Sequence, residues 1–530
     1  MRLFRFSLLI SLLVLTSCMK SKKVDLIVHN AIIHTLDDQN MEYEAMAIHD
    51  GKIVELGPER QILNKYRSEQ TIDARGRHIY PGLTDAHAHL KLAAKARIGI
   101  DLKGMRSFEQ IVFKLEQFHA KYPNEPIIAR GWSEMDWMIQ TLPTNERLNE
   151  LFPNIPVCLF RVDEHSAIVN DYLIKKSEID TEEFINGGFV TIEDGKLTGF
   201  IKDKALDKVR QNIPSPSEKD LENALLDLQE ELFMYGITTV HDAGFEDGDY
   251  NYFQKLVDQN KWHLKTFGML VPSKANYELA KNGKLKHNNL EVGTFKIFLD
   301  GSLGSHGAFL KENYSDKATR GVLNLTAEQL KEALSKANQY GYQVAFHAIG
   351  DSAVSLALKY TKEYNASKPD HRWRLEHGIV VDRKDYDRLL ESGIIPSLQP
   401  LQAISDAAFL QTRLGEERLK YAYAFQTLLK QTGIILLGSD FPIESHNIHR
   451  TIHAAQYTTN KQSLTIEEIV KSLTIWPSIA VFDEKNAGTL EKGKEATFAI
   501  FARSLSQAQE FKENFSMQTF IKGKEVYSAE

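Results

Sequence analysis

The stretch Leu83–His89 (LTDAHAH) decides the fold of this chain. It begins as a short apolar strand and ends in two histidines that are two residues apart. Successive side chains of a strand point to opposite faces, so His87 and His89 project on the same side. Two imidazoles on one face are well placed to bind one divalent metal ion. Alone, a His-x-His pair is weak evidence for a metal site.

Seven further apolar runs with β character follow, and helical patterns separate several of them. The runs are Ile237–Asp242, Leu264–Val271, Thr294–Asp300, Tyr342–His347, Arg372–His377, Ile394–Gln399 and Ile434–Asp440. Thr326-x-x-Gln329 and Thr465-x-x-Glu468 are capping boxes, which predict helix starts. Eight strands that alternate with helices predict an α/β fold of parallel βα units, a (β/α)8 TIM barrel spanning residues 81–480. An open doubly wound sheet is the alternative.

Both ends of the chain are rich in β signals. Asp50-Gly51 lies between two short apolar runs, which predicts a hairpin, and Lys522-Gly523 has a similar setting near the other end. We therefore expect a discontinuous β-sandwich, with residues 18–80 as its first part and residues 481–530 as its second.

The gap after the first barrel strand is far longer than a normal βα loop. It contains elements of its own, since Ser107-x-x-Gln110 predicts a helix start and Val157–Val162 predicts a strand. Most of this segment, about residues 100–215, is predicted to form an insertion subdomain over the barrel mouth. Ser217 then precedes a long leucine-rich helix that we assign to the barrel.

Composition excludes several classes of protein. The chain has 530 residues, and 42% hydrophobic with 25% charged residues is ordinary for a globular protein rather than for a disordered or multi-span membrane protein. There are 64 basic and 71 acidic residues, a net charge of -7, which argues against a nucleic-acid partner. Only Cys18 and Cys158 are present, so a disulfide framework is excluded. Cys158 is predicted to be a buried packing residue.

The first residues are predicted to be a targeting signal rather than part of the fold. Arg2 and Arg5 precede the uncharged apolar run Ser7–Thr16, which is too short to span a bilayer comfortably. Leu15-Thr16-Ser17-Cys18 follows and resembles the bacterial lipobox. The resemblance implies that residues 1–17 are a lipoprotein signal peptide and that Cys18 is lipidated. We expect a protein anchored to a bacterial membrane and facing the periplasm, with the outer membrane favoured because Met19 follows the cysteine. An uncleaved anchor is the alternative.

Polar residues recur where the predicted barrel strands end. Lys296 lies in the fourth strand, His347 and His377 end the fifth and sixth, and Asp440 ends the eighth. Catalytic groups of barrel enzymes lie at the carboxyl ends of the strands, so these residues should meet His87 and His89 at one rim. For each histidine alone, a structural role in the core is the alternative. As a set, they indicate a metal site.

Weaker candidates for substrate binding surround this set. They are Trp132, Asp163, His165, His241, Asp300 and Arg320. His241 ends the second strand and could instead orient a metal ligand. Arg320 could bind a substrate carboxylate or pair with a neighbouring aspartate.

The ordered motifs resemble those of the amidohydrolase superfamily, and its family 3 branch in particular, which includes N-substituted formamide deformylases. The motifs are Asp85–His89, Lys296–Gly304 (KIFLDGSLG), His347–Asp351 (HAIGD), Glu376-His377 and Gly438–Pro442 (GSDFP), with Tyr80-Pro81-Gly82, Arg130-Gly131-Trp132, Asp163-Glu164-His165 and Gly488–Lys494 outside the barrel core. Three positions depart from the family pattern, namely Phe441, Glu164 and Thr497. None of the three is a presumed metal ligand, but Glu164 could alter substrate selection.

The resemblance implies a barrel joined to a β-sandwich and one or two divalent metal ions, usually zinc. It implies that His87 and His89 bind one metal and that His347 and His377 bind the other. Lys296, carboxylated on its amine, would bridge the two, and Asp440 would bind metal and act as the catalytic residue that moves protons.

These residue types suit a metal-dependent hydrolysis. A divalent metal lowers the pKa of bound water to about 7, which gives a hydroxide nucleophile at neutral pH. Asp440 can take the proton of the nucleophile and return it to the leaving amine. We therefore expect a hydrolase of small molecules with amide-like carbon–nitrogen bonds, such as non-peptide, N-acyl or N-formyl bonds. A lactonase or phosphoesterase on the same cage and a retired, substrate-binding lipoprotein are the alternatives. A homodimer is left open.

The lipidation of Cys18 can be tested directly. We expect Cys18→Ala to leave the precursor uncut by the lipoprotein peptidase and unlabelled by radioactive palmitate, since the thiol is the acceptor of the lipid. Equal labelling of the wild-type and variant proteins would contradict the predicted anchor.

Overall fold

A computed structural model of the chain describes residues 21–180, 188–193, 195–458, 462–507 and 515–529. The predicted signal peptide and Cys18 lie outside the described residues. In the described ranges, we find no helix with the length and apolar character needed to cross a membrane.

The first described segment is mainly β-structure. Its elements are β1 (Lys22–Lys23), β2 (Leu26–His29), β3 (Ile32–His34), β4 (Glu42–Tyr43), β5 (Ala45–His49), β6 (Lys52–Gly57), α1 (Glu59–Lys65), β7 (Tyr66–Arg67), β8 (Gln70–Asp73) and β9 (His78–Pro81). The predicted hairpin joins β5 to β6. Asp50 and Gly51 both have positive φ angles, of 49° and 70°, as tight hairpin turns require.

The first barrel strand is followed by the insertion. The elements are β10 (Leu83–Ala88), α2 (Leu90–Ile98), β11 (Ile100–Asp101), α3 (Phe108–Lys121), β12 (Ile127–Trp132), α4 (Glu146–Leu151), β13 (Val157–Arg161), β14 (Ser166–Val169), α5 (Asp171–Lys176), β15 (Gly188–Glu193), β16 (Lys196–Asp203) and α6 (Lys204–Asn212). Ser107 caps α3 by accepting from the Gln110 backbone, as predicted.

The insertion has one six-stranded sheet, in the order β11-β12-β13-β14-β16-β15. Alternate residues of β13 enter different apolar clusters, since Leu159 packs on one face and Cys158 with Phe160 on the other. The sheet is therefore covered on both faces and has its own core. The thiol of Cys158 is buried as predicted, and burial raises its pKa to about 12.

The chain then returns to the barrel. Its elements are α7 (Glu218–Met234), β17 (Ile237–Phe245), α8 (Asp249–Asp258), β18 (Lys265–Leu270), α9 (Lys274–Ala280), β19 (Leu285–His287), β20 (Leu290–Phe298), α10 (Ala327–Tyr340), β21 (Gln343–Ala348), α11 (Asp351–Asn365), β22 (Arg374–His377), α12 (Tyr386–Ser392), β23 (Ile395–Leu398), α13 (Pro400–Ser405), α14 (Leu410–Leu419), α15 (Phe425–Thr432), β24 (Leu436–Leu437), α16 (Ile448–Gln456), α17 (Ile466–Ser472) and α18 (Ile475–Ala480). Both predicted capping boxes are present, at the starts of α10 and α17.

Eight parallel strands form the barrel, in the order β10-β17-β18-β20-β21-β22-β23-β24, with β19 antiparallel beside β20. Strand β10 meets the segment after β24 through two backbone hydrogen bonds, Asp440 N to His87 O at 2.7 Å and His89 N to Phe441 O at 2.9 Å. These bonds close the ring next to the histidines. The predicted (β/α)8 fold is confirmed, and the doubly wound alternative is wrong.

The sandwich combines both ends of the chain, as predicted. The last strands are β25 (Phe498–Phe501), β26 (Ser516–Ile521) and β27 (Lys524–Ser528). They join the first segment in the sheet β27-β26-β25-β9-β3-β4, which packs against the sheet β6-β5-β2-β8. Val28 and Met46 from one end and Phe498 and Ile500 from the other share one apolar cluster. The exact domain boundaries remain predictions.

Closure of the barrel depends on the carboxylate of Asp85 and on the absence of a side chain at Gly438. The buried carboxylate of Asp85 accepts from the backbone and hydroxyl of Ser439, at 3.0 and 2.6 Å, which ties β10 to the segment after β24. Gly438 lies so close to His87 that a Cβ atom there would be 2.4 Å from the His87 nitrogen. Only glycine allows this approach.

We expect Gly438→Ala to destabilise the protein by about 1–3 kcal/mol or more, since backbone would have to move to relieve the overlap. Urea unfolding of the purified variant measures this change. Gly57→Ala is the matched control, because a Cβ there meets only ordinary contacts at 3.6 Å or longer. Equal unfolding midpoints for the two variants would contradict the role given to Gly438.

Candidate active site

All six predicted metal-site residues meet at one rim of the barrel. His87 lies at the end of β10 and His89 directly after it, His377 ends β22, and Asp440 follows β24. One ligand atom from each of His87, His89 and Asp440 lies within 4.8 Å of the other two. The ring of His377 is centred 4.8 Å from that of His87 and 4.5 Å from that of His347. Lys296 Nζ lies 3.3 Å from His87 Nε2.

Burial keeps the imidazoles neutral. It lowers the pKa of His87 to about 4 and of His377 to about 3, and the pKa of His347 falls well below its usual value. Burial alone would raise the pKa of Asp440, but the neighbouring imidazoles of His87 and His89 hold it below its ordinary range. Neutral imidazoles and an ionised carboxylate are the forms that bind metal ions.

Several of these ligand atoms are buried without a hydrogen-bond partner. In the part of the chain that the structure describes, they include His347 Nε2, His377 Nδ1 and Asp440 Oδ1. A buried polar atom without a partner is costly, and bound cations could supply partners for these atoms. The nitrogen and oxygen donors present therefore fit one or two divalent metal ions.

Two of the site residues have unusual backbone conformations. His377 has a φ angle of 71° and Asp440 of 62°, in the left-handed region that non-glycine residues rarely adopt. Such strain persists only where the surrounding structure fixes it, and it is concentrated at functional sites. Both residues turn the chain out of its strand at the barrel rim.

The sequence analysis missed a buried network that orients His87. Glu376 Oε2 lies 2.5 Å from His87 Nδ1, and Arg374 binds both oxygens of Glu376, at 2.7 and 3.0 Å. A proton on Nδ1 leaves the lone pair of Nε2 free for a metal. The sequence contains a signal for this network. Arg374, Glu376 and His377 are three polar residues in one short strand, and the spacing of two puts Arg374 and Glu376 on the same face.

His241 belongs to this network rather than to the substrate pocket. Its Nδ1 lies 2.8 Å from Arg374 Nη1, and the ring is fully buried. Arg374 also donates to Ala86 O and to Ser397 Oγ, at 2.6 and 2.9 Å. The structure therefore connects His241 to His87 through Arg374 and Glu376, three contacts in all.

Above the rim is a cavity of about 1610 Å³, lined on one side by the barrel ends and on the other by the insertion. His89, His347, His377 and Asp440 all line it. The cavity is large enough for a small organic molecule, and the predicted position of the insertion over the barrel mouth agrees with its lining residues.

Two of the weaker candidates line this cavity. They are Asp163 and His165, both from the insertion. Asp163 accepts from Arg161 and from Ser302 Oγ, each at 2.9 Å. His165 has its ring centred 5.2 Å from that of His347, and its Nδ1 lies 3.1 Å from Asp203.

Three other candidates, whose predicted role in substrate binding stays a prediction, are not among the residues that line this cavity. Trp132 is buried in the insertion core, where its indole donates to Leu159 O at 2.7 Å. The Asp300 carboxylate is fully buried and accepts from three backbone N–H groups, those of Phe309, Ile349 and Gly350. Arg320 is exposed and donates to Leu310 O at 2.9 Å, and it forms no ion pair with an aspartate among the described residues.

Comparison with known proteins agrees with this arrangement. The family model described as "Amidohydrolase family" matches residues 70–527. The chain belongs to the amidohydrolase family. The putative amidohydrolase YtcJ of Bacillus subtilis is 29% identical over 89% of this chain and 93% of its own length. An N-substituted formamide deformylase of Arthrobacter pascens is 22% identical, covering 94% of this chain and 97% of that protein.

A solved structure supports the same assignment. The crystal structure of an uncharacterized metal-dependent hydrolase from Pyrococcus furiosus is 26% identical and superposes with a TM-score of 0.73, covering 91% of this chain and 99% of that one. The predicted resemblance to the amidohydrolase superfamily is confirmed, and this protein is a metal-dependent hydrolase of that superfamily.

The network around His87 predicts a specific defect. We expect Glu376→Gln to weaken metal binding by about 10- to 100-fold, because the amide no longer fixes the proton on His87 Nδ1. Competition with a chelator of known affinity measures this change.

Glu134→Gln is the matched control. Glu134 is also a buried carboxylate paired with a buried arginine, Arg161, but it lies in the insertion. Both variants lose the same charge, so an equal loss of metal affinity would contradict the role of Glu376.

Proposed function

We propose that the protein hydrolyses amide-like carbon–nitrogen bonds in small molecules, of the non-peptide, N-acyl or N-formyl type. The placement of Asp440 carries this proposal. Its Oδ1 lies 3.2 Å from His89 Nε2 and 3.5 Å from His87 Nε2, while Oδ2 accepts from Gln402 Nε2 at 2.8 Å. One carboxylate oxygen is thus fixed, and the other has no hydrogen-bond partner among the described residues.

Asp440 can serve both proton transfers that such a hydrolysis requires. It is ionised at neutral pH, so it can accept a proton from the attacking water, and it lines the cavity where the leaving nitrogen would lie. An amine leaves poorly unless it is protonated, so return of that proton matters as much as its removal. The likeness to an N-substituted formamide deformylase favours the same bond type.

His87, His89, His347, His377 and Asp440 would hold the metal, which we propose to be zinc because imidazole nitrogen and carboxylate oxygen are common zinc ligands. When bound, a divalent metal ion polarises a carbonyl oxygen and lowers the pKa of a coordinated water. The close grouping of His87, His89 and Asp440 supports this proposal over a retired, substrate-binding barrel.

Lys296 is placed for carboxylation. Its amine is fully buried, lies over the Phe298 ring and forms no ion pair with Asp300 or Asp440 in the described chain. Burial lowers its pKa to about 8, so a larger fraction of the amine is neutral than in an exposed lysine. The neutral amine can attack carbon dioxide, with loss of a proton, to give an anionic carbamate. That carbamate offers two oxygens and could bridge two cations.

We also propose, from the sequence alone, that the lipid on Cys18 holds this hydrolase at a membrane, facing the periplasm. Lipoproteins carry several acyl chains, and more than one chain is needed for stable anchoring.

A substrate screen tests the bond type. Purified protein of known metal content is assayed for amine release from N-formyl amines, N-acyl amino acids and cyclic ureas, with lactones and phosphoesters as the competing classes. We expect turnover among the carbon–nitrogen compounds. Turnover confined to lactones or phosphoesters would overturn the proposal.

We expect Asp440→Asn to lower kcat by about 10²- to 10⁴-fold, because the amide has nearly the same shape but cannot move a proton. The measurement uses a substrate found in the screen, and circular dichroism checks the fold. A decrease of less than tenfold at unchanged metal content would show that another group moves the proton.

We expect Lys296→Ala to lose activity and part of its metal, and a short carboxylic acid such as acetate to restore some of both by supplying the missing bridge. Metal analysis and turnover, with and without the acid, provide the test. A bare amine at Lys296 in high-resolution density of an active, fully metallated enzyme would refute the carbamate.

A further inference from the structure

One wall of the cavity carries oxygen atoms that the protein does not satisfy. Gln402, at the end of the barrel beyond β23, Asp406, four residues later, and Glu444, just beyond Asp440, all line the cavity. We call these three residues the acceptor wall. None of the functions described above uses Asp406 or Glu444.

Gln402 presents a buried acceptor. Its side chain is only 9% exposed, and its Nε2 donates to Asp440 Oδ2 at 2.8 Å. An ionised carboxylate can only accept, so the amide nitrogen must face Asp440 and the carbonyl oxygen must point away from it. That oxygen, Oε1, is buried and has no hydrogen-bond partner among the described residues.

Asp406 and Glu444 add two carboxylates without a cation. Asp406 Oδ2 accepts from Tyr423 OH at 2.6 Å, and Glu444 Oε1 accepts from Ser405 Oγ at 2.5 Å. In the part of the chain that is described, neither carboxylate forms an ion pair, and the second oxygen of each accepts no hydrogen bond.

Three cations, Arg161, Lys103 and Arg450, lie near this wall, but none forms an ion pair with Asp406 or Glu444 within the described chain. Arg161 is held by Glu134 and Asp163, and Lys103 donates to the backbone oxygens of Pro442 and Ile443. Burial, with a contribution from the charge of Glu444, raises the pKa of Asp406 to about 7. A cation bound between the two carboxylates would favour the ionised form of Asp406 and would pair with both side chains.

The cavity as a whole favours cations. Thirteen aspartate and glutamate residues line it, against six lysine and arginine residues. A cleft lined by an excess of one charge concentrates ligands of the opposite charge. Most of the basic residues are paired with acidic neighbours, as in the contacts of Arg130 with Glu164 and of Lys91 with Asp249.

We propose that the acceptor wall binds a protonated primary amine of the substrate, so that the substrates are amide-like compounds bearing an ammonium group. A primary ammonium has three N–H donors, and Gln402 Oε1, Asp406 and Glu444 offer three acceptors. Because Gln402 contacts Asp440, we expect a short spacer between the ammonium and the cleaved bond. The substrate class rests on the proposed function, whereas the binding of an amine does not.

The test uses small probes that cannot be hydrolysed. The metal-loaded full chain is titrated calorimetrically at pH 7 with butylammonium, with butan-1-ol as its neutral counterpart and with butanoate as its anionic counterpart. We expect butylammonium to bind at least about tenfold more tightly than butanol, since hydrogen bonds to charged groups are the stronger ones. Equal affinities, or no saturable binding of butylammonium, would overturn the proposal.

Variants of the acceptor wall test whether it causes the preference for butylammonium over butanol. We expect the Asp406→Asn/Glu444→Gln double variant to bind butylammonium and butanol equally. Glu444→Gln alone, which leaves the Asp406–Tyr423 bond intact, should lose part of the preference and replaces the double variant if that variant unfolds. Glu125→Gln is the control, because it removes the same charge from the insertion side of the cavity and should leave the preference unchanged. An undiminished preference in the wall variants would overturn the proposal.

The two proposals fail separately. Selective binding of butylammonium by a protein that hydrolyses no carbon–nitrogen compound would refute the proposed function and leave the amine site. Hydrolysis of such compounds with no preference for the ammonium probe would refute the amine site and leave the function.

Discussion

His87, Lys296, His377 and Asp440 are almost entirely shielded from solvent at one rim of the barrel. Burying a charged or strongly polar group without a partner is costly, and here several ligand atoms have none within the described chain. The groups adapt through their protonation, since the imidazoles are neutral and the pKa of Lys296 is lowered. A site that has already lost its hydration and its protons is prepared for metal ions, because less must be displaced when they bind.

The residues that surround the site hold its buried side chains in place, so these side chains cannot move to find other hydrogen-bond partners. Arg374 reaches three neighbouring parts of the barrel, through Glu376, Ala86 O and Ser397 Oγ, and its guanidinium is fully buried. Asp85 and Gly438 bring the first and last strands together, which sets the distance between His87 and Asp440. Fold and site are thus coupled, because the contacts that close the barrel are those that place its ligands.

The sequence predicted the parts of this arrangement that depend on local periodicity. A spacing of two put His87 and His89 on one face, and strand ends in a parallel barrel necessarily converge, so all six predicted ligands could be brought to one rim without a structure. Residues whose role depends on contacts between distant elements could not be placed in this way. Trp132 belongs to a motif that made it a candidate for the pocket. The alternation of side chains along its strand, however, directs the indole into the insertion core. Asp300 follows a barrel strand like a ligand, yet it caps the backbone of neighbouring loops.

Glu164 indicates which residues of the insertion can contribute to substrate selection. Its departure from the family pattern made it a candidate for substrate selection, and the structure places it in the lining of the cavity. Its carboxylate, however, is paired with Arg130, its carbonyl accepts from Arg210, and its φ angle is 55°. A side chain committed in this way has little capacity left for a ligand. Selection should therefore depend on groups with unused acceptors, which in the described cavity include Asp203 Oδ2 on the insertion side and Gln402 Oε1 at the wall that adjoins Asp440.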